Sequence, residues 1–134
     1  MRKALALLVF SLFVNSVLAG SDLLTCRVEA EATLEWKQGG WHAGKFEERE
    51  FNLFLNGNKA TKDSIANAMG AAPKDVNCDF ANSRIVCSAT TGNLFMLNPQ
   101  NNRGGIANIW GTTMTTLLGG DIWSSVSAFT CKEE

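Results

Sequence analysis

The chain has 134 residues, with 12 lysines and arginines, 13 aspartates and glutamates, and a formal net charge of −1 at pH 7. This length suits one domain with one modest hydrophobic core, so we expect no second domain. The slightly acidic balance argues against nucleic acid or an anionic membrane as the main partner, because both attract basic proteins.

The start of the chain has the three parts of a secretory signal. A basic start, Met1-Arg2-Lys3, precedes an apolar run over residues 4–14, and a processing site follows that ends at Ala19. The apolar run is shorter than the roughly 20 residues that a bilayer span needs, which favours a cleaved signal over a retained anchor. We therefore predict a signal peptide over residues 1–19 and a single secreted or periplasmic domain over residues 20–134.

Cleavage would make the mature protein more acidic. Removing 19 of the 134 residues leaves 115, and the loss of Arg2 and Lys3 lowers the basic count from 12 to 10 against 13 acidic residues, a net charge of −3. We expect no nucleic-acid partner and no membrane insertion after signal cleavage.

An alternating pattern from Cys26 to Lys37 predicts the first strand of the mature domain. Every second residue on one side of this strand is apolar: Cys26, Val28, Ala30, Ala32, Leu34 and Trp36. The other side carries charged and hydroxyl side chains. We expect a long, curved strand with the apolar set on the core and the polar set in water.

Glycines at positions 39 and 40 predict a hairpin turn, after which residues 46–55 return as the second strand. Three apolar residues share one side of the returning strand: Phe51, Leu53 and Leu55. Phe46 and Phe54 have the opposite parity, which indicates a bulge or a strand with two apolar sides.

One short helix is predicted after this strand. Thr61 has the side chain of an N-cap, residues 62–69 follow with helical spacing of apolar residues, and Gly70 supplies the stop. We expect no other helix in the mature domain.

The four cysteines predict two disulfides, since an even number in a small exported domain is typical of a disulfide framework. A two-residue turn at Asn82-Ser83 places Cys78 opposite Cys87, at a non-hydrogen-bonded pair whose Cα atoms are close enough for a disulfide. Cys26 then pairs with Cys131 and joins the first strand to the last. A zinc site is the alternative use of four cysteines, but the chain has no Cys-x-x-Cys pair.

Further strands are predicted over residues 94–97, 106–112 and 122–131, and residues 98–105 are predicted as a loop because of their composition. The total is about seven strands at short spacing. The predicted fold class is therefore all-β with one short helix, an antiparallel meander that closes as a small barrel or folds as a sandwich.

The candidate binding residues lie next to predicted turns and loops. Trp41 and His42 follow the first turn, Trp123 follows the turn before the last strand, and Arg103 is the charged residue of the 98–105 loop. Exposed aromatic residues at such places can stack on a sugar or anchor a protein partner. The alternative is that the tryptophans plug the open ends of the fold.

Catalysis has little support in the sequence. His42 is the only histidine, and no serine or cysteine nucleophile motif lies near it. Four carboxylates are available for a glycosidase pair, but their spacing in the sequence does not show whether two of them lie across one cleft: Glu48, Glu50, Asp79 and Asp121. We therefore expect no enzyme activity, no metal and no cofactor.

The favoured function is a non-catalytic exported binding domain that binds a protein, as an envelope factor or an inhibitor does. A barrel that carries a small apolar or sugar ligand is the first alternative, and it requires small inward-facing residues such as Ala30, Ala32, Ala107 and Gly111. A hydrolase is the second alternative.

Overall fold

The computed structural model describes residues 22–57, 59–109 and 122–134. The predicted signal peptide, Gly111 and Asp121 lie outside these residues. The elements in chain order are β1 (Leu23–Lys37), β2 (Gly40–Ala43), β3 (Glu50–Asn56), β4 (Lys59–Ala60), α1 (Lys62–Ala68), a 3₁₀ helix (Pro73–Asp75), β5 (Val76–Ala81), β6 (Arg84–Ala89), β7 (Asn93–Asn98), β8 (Arg103–Asn108) and β9 (Ile122–Glu133).

The strands form one antiparallel sheet that curls into a nearly closed barrel. Its order is β4-β3-β1-β9-β8-β7-β6-β5, and β2 pairs with the end of β1 that β3 leaves free. Strands β5 to β9 follow one another as a meander, and α1 packs against β3 and β5 near the two edges of the sheet. The predicted all-β class is confirmed, with a barrel rather than a sandwich.

The described residues contain nine strands, against the seven or so that the sequence predicts. The two additional strands, β2 and β4, have four and two residues. Strands this short show too little alternation to be recognised in a sequence pattern.

The helix α1 begins and ends close to the predicted positions. The Thr61 side chain accepts a hydrogen bond from the backbone N–H of Ser64 at 3.4 Å, which confirms the predicted N-cap. Gly70 takes a φ of +67°, a conformation that glycine adopts without strain, just after the helix. The buried Asn93 amide donates to the Met69 carbonyl at 2.7 Å and ties the end of the helix to β7.

The hydrophobic core lies inside the barrel around Phe129 of β9. Its ring meets Phe51 edge to face at a centroid distance of 5.0 Å and stacks on Phe95 at 5.4 Å. Leu53 is fully buried as its parity predicts, and Phe54 on the other side of β3 is exposed. Strand β3 is therefore two-sided, one of the two alternatives that the sequence leaves open.

Both predicted disulfides are present. Cys26 and Cys131 face each other across β1 and β9 with a Cα–Cα distance of 3.9 Å, and Cys78 and Cys87 do so across β5 and β6 at 4.1 Å. No described cysteine is free. Two disulfides fit a protein of an oxidising compartment. Within the described residues, no helix combines the length and the apolar character needed to cross a membrane.

The predicted loop over residues 98–105 is wrong at both ends. Strand β7 extends to Asn98, and β8 already begins at Arg103. The reversal between them is compact because the Asn98 side chain accepts from the N–H of Gln100 at 2.9 Å, and Asn101 accepts from the N–H of Arg103 at 3.1 Å. Arg103 is therefore a strand residue rather than a loop residue.

Candidate functional site

A β-bulge in β1 decides which side chains this strand turns inward. The register of β1 against β9 shifts between Val28 and Ala30, so that Glu29 is an extra residue. Cys26 and Val28 are fully buried, but beyond the bulge the odd-numbered residues face the interior. The predicted core face is thus wrong for three residues, which are exposed: Ala30, Ala32 and Leu34. The side chain of Trp36, the last of that set, lies outside the description.

Beyond the bulge, apolar residues occupy the outside of four neighbouring strands, β1, β9, β8 and β7. Two rows follow from the register: Ala32, Val126, Ala107 and Leu94, and beside it Ala30, Ala128, Gly105 and Met96. The larger side chains are well exposed, Val126 at 60%, Met96 at 56% and Leu34 at 50%. We call this surface the outer apolar face, made up of Ala30, Ala32, Leu34, Leu94, Met96, Ala107, Val126 and Ala128.

Basic side chains border one end of the outer apolar face. Arg103 is two residues before Gly105 on β8, so its side chain points to the same outer face. It lies between Thr130 of β9 and Asn98 of β7. Lys132 and Arg84 lie near it, on β9 and at the start of β6. Three exposed cations form no ion pair with any described residue: Arg84, Arg103 and Lys132. This end of the surface therefore carries three cations outside any ion pair to a described residue, with the Glu134 carboxylate, bound to the Thr25 hydroxyl, as the neighbour of Lys132.

The β1 side of the same end is neutralised instead. The Arg27 guanidinium donates to the Glu48 carboxylate at 2.6 Å. That hydrogen bond and the charge of Glu48 raise the pKa of Arg27, and Glu50 and Glu29 add to the effect. The positive charge available to a partner lies on β6, β8 and β9.

The interior at the bulged end of the barrel is polar. One interior row of the sheet consists of Thr33, Ser125, Asn108 and Asn93. In the next row the Glu31 side chain is only 8% exposed, and the Arg49 guanidinium lies 3.9 Å from its carboxylate. Arg49 also donates to the hydroxyl of Ser127 at 3.1 Å. At this end β1 and β9 therefore place polar side chains inside, whereas β7 and β8 still contribute the buried Phe95 and Ile106.

This arrangement also corrects the expected lining of a ligand-carrying barrel. Ala30 and Ala32 are exposed, and Ala107 pairs with the outward-facing Leu94 and Val126. None of these three alanines faces the interior. After the bulge at Glu29 the even-numbered residues of β1 point outward, and Ala107 has the outward parity of β8.

His42 and Trp123 lie on either side of Glu35. The register pairs Glu35 with His42 of β2 and with Trp123 of β9, so the two predicted site residues are two strands apart. The exposed His42 ring has its Nε2 atom 3.1 Å from the Lys37 carbonyl oxygen, a contact within the hairpin. The side chain of Trp123 lies outside the description.

Trp41 and Arg103 lie on the outer surface but are not brought together. The turn itself consists of residues 38 and 39, so Trp41 belongs to β2 rather than to the turn. It is 41% exposed and has the parity that continues the outer apolar face from Leu34. Arg103 borders that face at its other end. Trp41 and Arg103 therefore lie at opposite ends of the outer apolar face and do not form one cluster.

The described residues do not assemble a recognisable catalytic centre. No three of their histidine, cysteine, aspartate and glutamate side chains lie close enough to hold a metal ion. Among the carboxylates that the sequence offers for glycoside hydrolysis, Glu48 is engaged by Arg27, and Asp121 lies outside the description.

A cavity of about 510 Å³ opens at the opposite end of the barrel, beyond the disulfide of Cys26 and Cys131. Its apolar lining comes from β1, β3, β4, β6 and β7: Leu24, Leu55, Ala60, Ile85 and Leu97. Its polar lining includes Asp22, Asn102 and Glu133.

No protein-family model, no curated protein and no solved structure matches this chain.

Sequence reasoning missed the outer apolar face because the alternating pattern of β1 continues through Glu29 without a visible break. A usable signal was present in β9. Counting back from the disulfide-bonded Cys131, Phe129 has inward parity, whereas Val126 and Ala128 have outward parity. That count predicts apolar residues on the outside of the last strand.

Proposed function

We propose that this protein is a non-catalytic, exported binding domain, secreted or periplasmic, whose outer apolar face docks a partner protein. The observation that carries this proposal is the exposure of aliphatic side chains on the outside of four adjacent strands. Soluble monomers rarely expose a contiguous apolar patch beyond a few hundred Å² unless it is used for binding. Export is supported by the two disulfides and by the signal-like residues 1–19.

The partner that fits is a protein with an apolar surface bordered by carboxylates. Arg84, Arg103 and Lys132 border the outer apolar face without an ion pair to a described residue. Acidic side chains opposite them would steer the encounter and fix the orientation, while the apolar centre would supply most of the affinity.

Two other occupants fit less well. A second copy docked face to face about a two-fold axis would set the basic end of one face either against the same basic end or against the apolar end near Leu34 and Trp41, and neither arrangement pairs the cations with an apolar surface bordered by carboxylates. An anionic membrane is disfavoured by the net charge of −3 that remains after removal of residues 1–19.

The test begins with capture and ends with purified components. The exported, oxidised protein is immobilised and exposed to the envelope and secreted fractions of its host, and retained proteins are identified by mass spectrometry. The Kd of the purified partner is then measured for Val126→Asp on the outer apolar face and for Arg103→Glu at its basic end. Phe54→Asp is the matched control, because Phe54 is equally exposed on β3, away from this surface.

We expect Val126→Asp to weaken binding at least tenfold, since a carboxylate would be buried against apolar atoms, a cost of about 1.4 kcal/mol or more. Arg103→Glu should weaken binding most at low salt, and Phe54→Asp should leave the Kd within about twofold. Equal loss in Val126→Asp and Phe54→Asp would refute the proposed surface. So would self-association through this face, or retention on anionic vesicles that Val126→Asp abolishes.

A further inference from the structure

The cavity at the far end of the barrel has an apolar floor that the surrounding strands do not fill. Three residues form this floor, and each exposes only 2–4% of its surface to solvent: Leu24 of β1, Ile85 of β6 and Leu97 of β7. The volume of about 510 Å³ lies within the range of small-molecule sites, which is about 300–1,000 Å³. The outer apolar face begins beyond the bulge at Glu29, so the cavity is a separate feature.

Two exposed carboxylates, those of Asp22 and Glu133, also line this cavity. Glu133 pairs with Leu24 in the β1–β9 register and has the inward parity of Cys131, and Asp22 has the inward parity of Leu24. Neither carboxylate forms an ion pair with a described residue. The neighbouring Lys132 has the opposite parity, which turns it to the outside of the barrel.

Asn102 adds a polar group to the same rim. Its backbone has a φ of +54°, and its carbonyl accepts from the N–H of Cys131 at 2.8 Å, which holds the residue in place at the end of the 99–102 turn. Asn102 is one of the residues that line the cavity. An ammonium group has three donors and no acceptor, so two carboxylates and an amide oxygen match its requirements.

We infer that this cavity binds a small organic cation, a primary ammonium group on a short apolar body. The ammonium group lies between Asp22, Glu133 and the amide of Asn102, and the apolar body lies on the floor formed by Leu24, Ile85 and Leu97. An anionic ligand is disfavoured by the two carboxylates, and a purely apolar ligand would gain nothing from them. This site is independent of the proposed docking of a protein.

The test compares three probes of the same chain length. The ¹⁵N-labelled, oxidised protein is titrated with n-hexylammonium, n-hexanol and n-hexanoate at low salt, and the amide shifts of residues around the cavity, such as Gly57 and Asn102, are followed by NMR. We expect saturable shifts there with n-hexylammonium, and at least tenfold weaker binding of the other two probes.

Glu133→Gln should weaken n-hexylammonium binding about fivefold, the upper range for one partly exposed charge pair. Glu134→Gln is the matched control, because it removes the same charge from a side chain that accepts from the Thr25 hydroxyl at 2.6 Å and does not line the cavity. Val126→Asp on the outer apolar face should leave this binding unchanged.

Three results would overturn the inference. One is the absence of saturable shifts around the cavity, and another is equal affinity for n-hexanol. The third is an equal effect of Glu133→Gln and Glu134→Gln, which would show general attraction to acidic residues at the end of the chain.

Discussion

At the scale of the residue, Gly104 is where β8 comes closest to the core. A Cβ atom at this position would lie 2.2 Å from the Met96 carbonyl oxygen and 2.3 Å from the Cζ atom of Phe129. Neither neighbour can move freely, because Met96 pairs with β8 through its backbone and the Phe129 ring is packed between Phe51 and Phe95. The absence of a side chain at position 104 is therefore a packing requirement.

We expect Gly104→Ala to lower the free energy of unfolding by about 1–3 kcal/mol, the usual cost of overpacking a core. Gly105→Ala is the matched control on the same strand, since its Cβ would meet only the Ser127 carbonyl oxygen, at 3.1 Å. Urea denaturation of both variants measures the difference. If Gly105→Ala proves as costly as Gly104→Ala, the clash with Phe129 is not the reason.

At the scale of the element, the bulge in β1 matters more than any single contact. Val28 pairs with Phe129 and Ala30 with Ala128, so Glu29 has no residue of its own on β9. Because the residues on both sides of Glu29 keep their partners, the bulge bends the strand without changing the pairing that follows. It also turns the residues after position 29 so that Glu31, Thr33 and Glu35 face the interior.

Deletion of Glu29 should therefore be tolerated. The shortened strand can form a regular ladder in which every remaining pair of β1 and β9 is kept, with a modest loss of stability. Deletion of Ala32 should instead prevent folding, because every later residue of β1 would either change face or lose its partner.

Circular dichroism, thermal unfolding and disulfide mapping by mass spectrometry distinguish the two deletions. The Glu29 deletion should keep both native disulfides and a cooperative transition, and the Ala32 deletion should lose the transition. A Glu29 deletion that unfolds the protein would show that the bend itself is essential for closing the barrel.

At the scale of the whole molecule, the disulfide between Cys26 and Cys131 holds the first strand to the last. It closes a separation of 105 residues, whereas the disulfide between Cys78 and Cys87 closes only 9 within one hairpin. The loop-entropy relation assigns about 5 kcal/mol to the long closure and about 3 kcal/mol to the short one at 25 °C.

We therefore expect the double variant Cys26→Ser with Cys131→Ser to lose more stability than Cys78→Ser with Cys87→Ser. Both pairs are buried or partly buried, which makes them matched substitutions. Guanidinium denaturation under oxidising conditions measures both losses. A larger loss from the hairpin pair would mean that the packing of β5 and β6, rather than the length of the closed chain, controls the effect.

The sequence by itself determined the features that depend on near neighbours. A two-residue turn sets the register of β5 and β6, so the pairing of Cys78 with Cys87 could be counted outward from Asn82-Ser83 and is confirmed. Elimination then paired Cys26 with Cys131. The helix cap at Thr61 is equally local, since it involves an N–H three residues away.

Only the tertiary structure decided which side chains lie on the outside of the barrel and at which end the cavity opens. The bulge at Glu29 exists because β1 pairs with β9, about a hundred residues away, and a parity count along β1 alone does not reveal it. The cavity likewise draws its lining from several elements that meet when the sheet curls. Local spacing determines hairpins and caps, whereas long-range strand pairing determines which side chains face water.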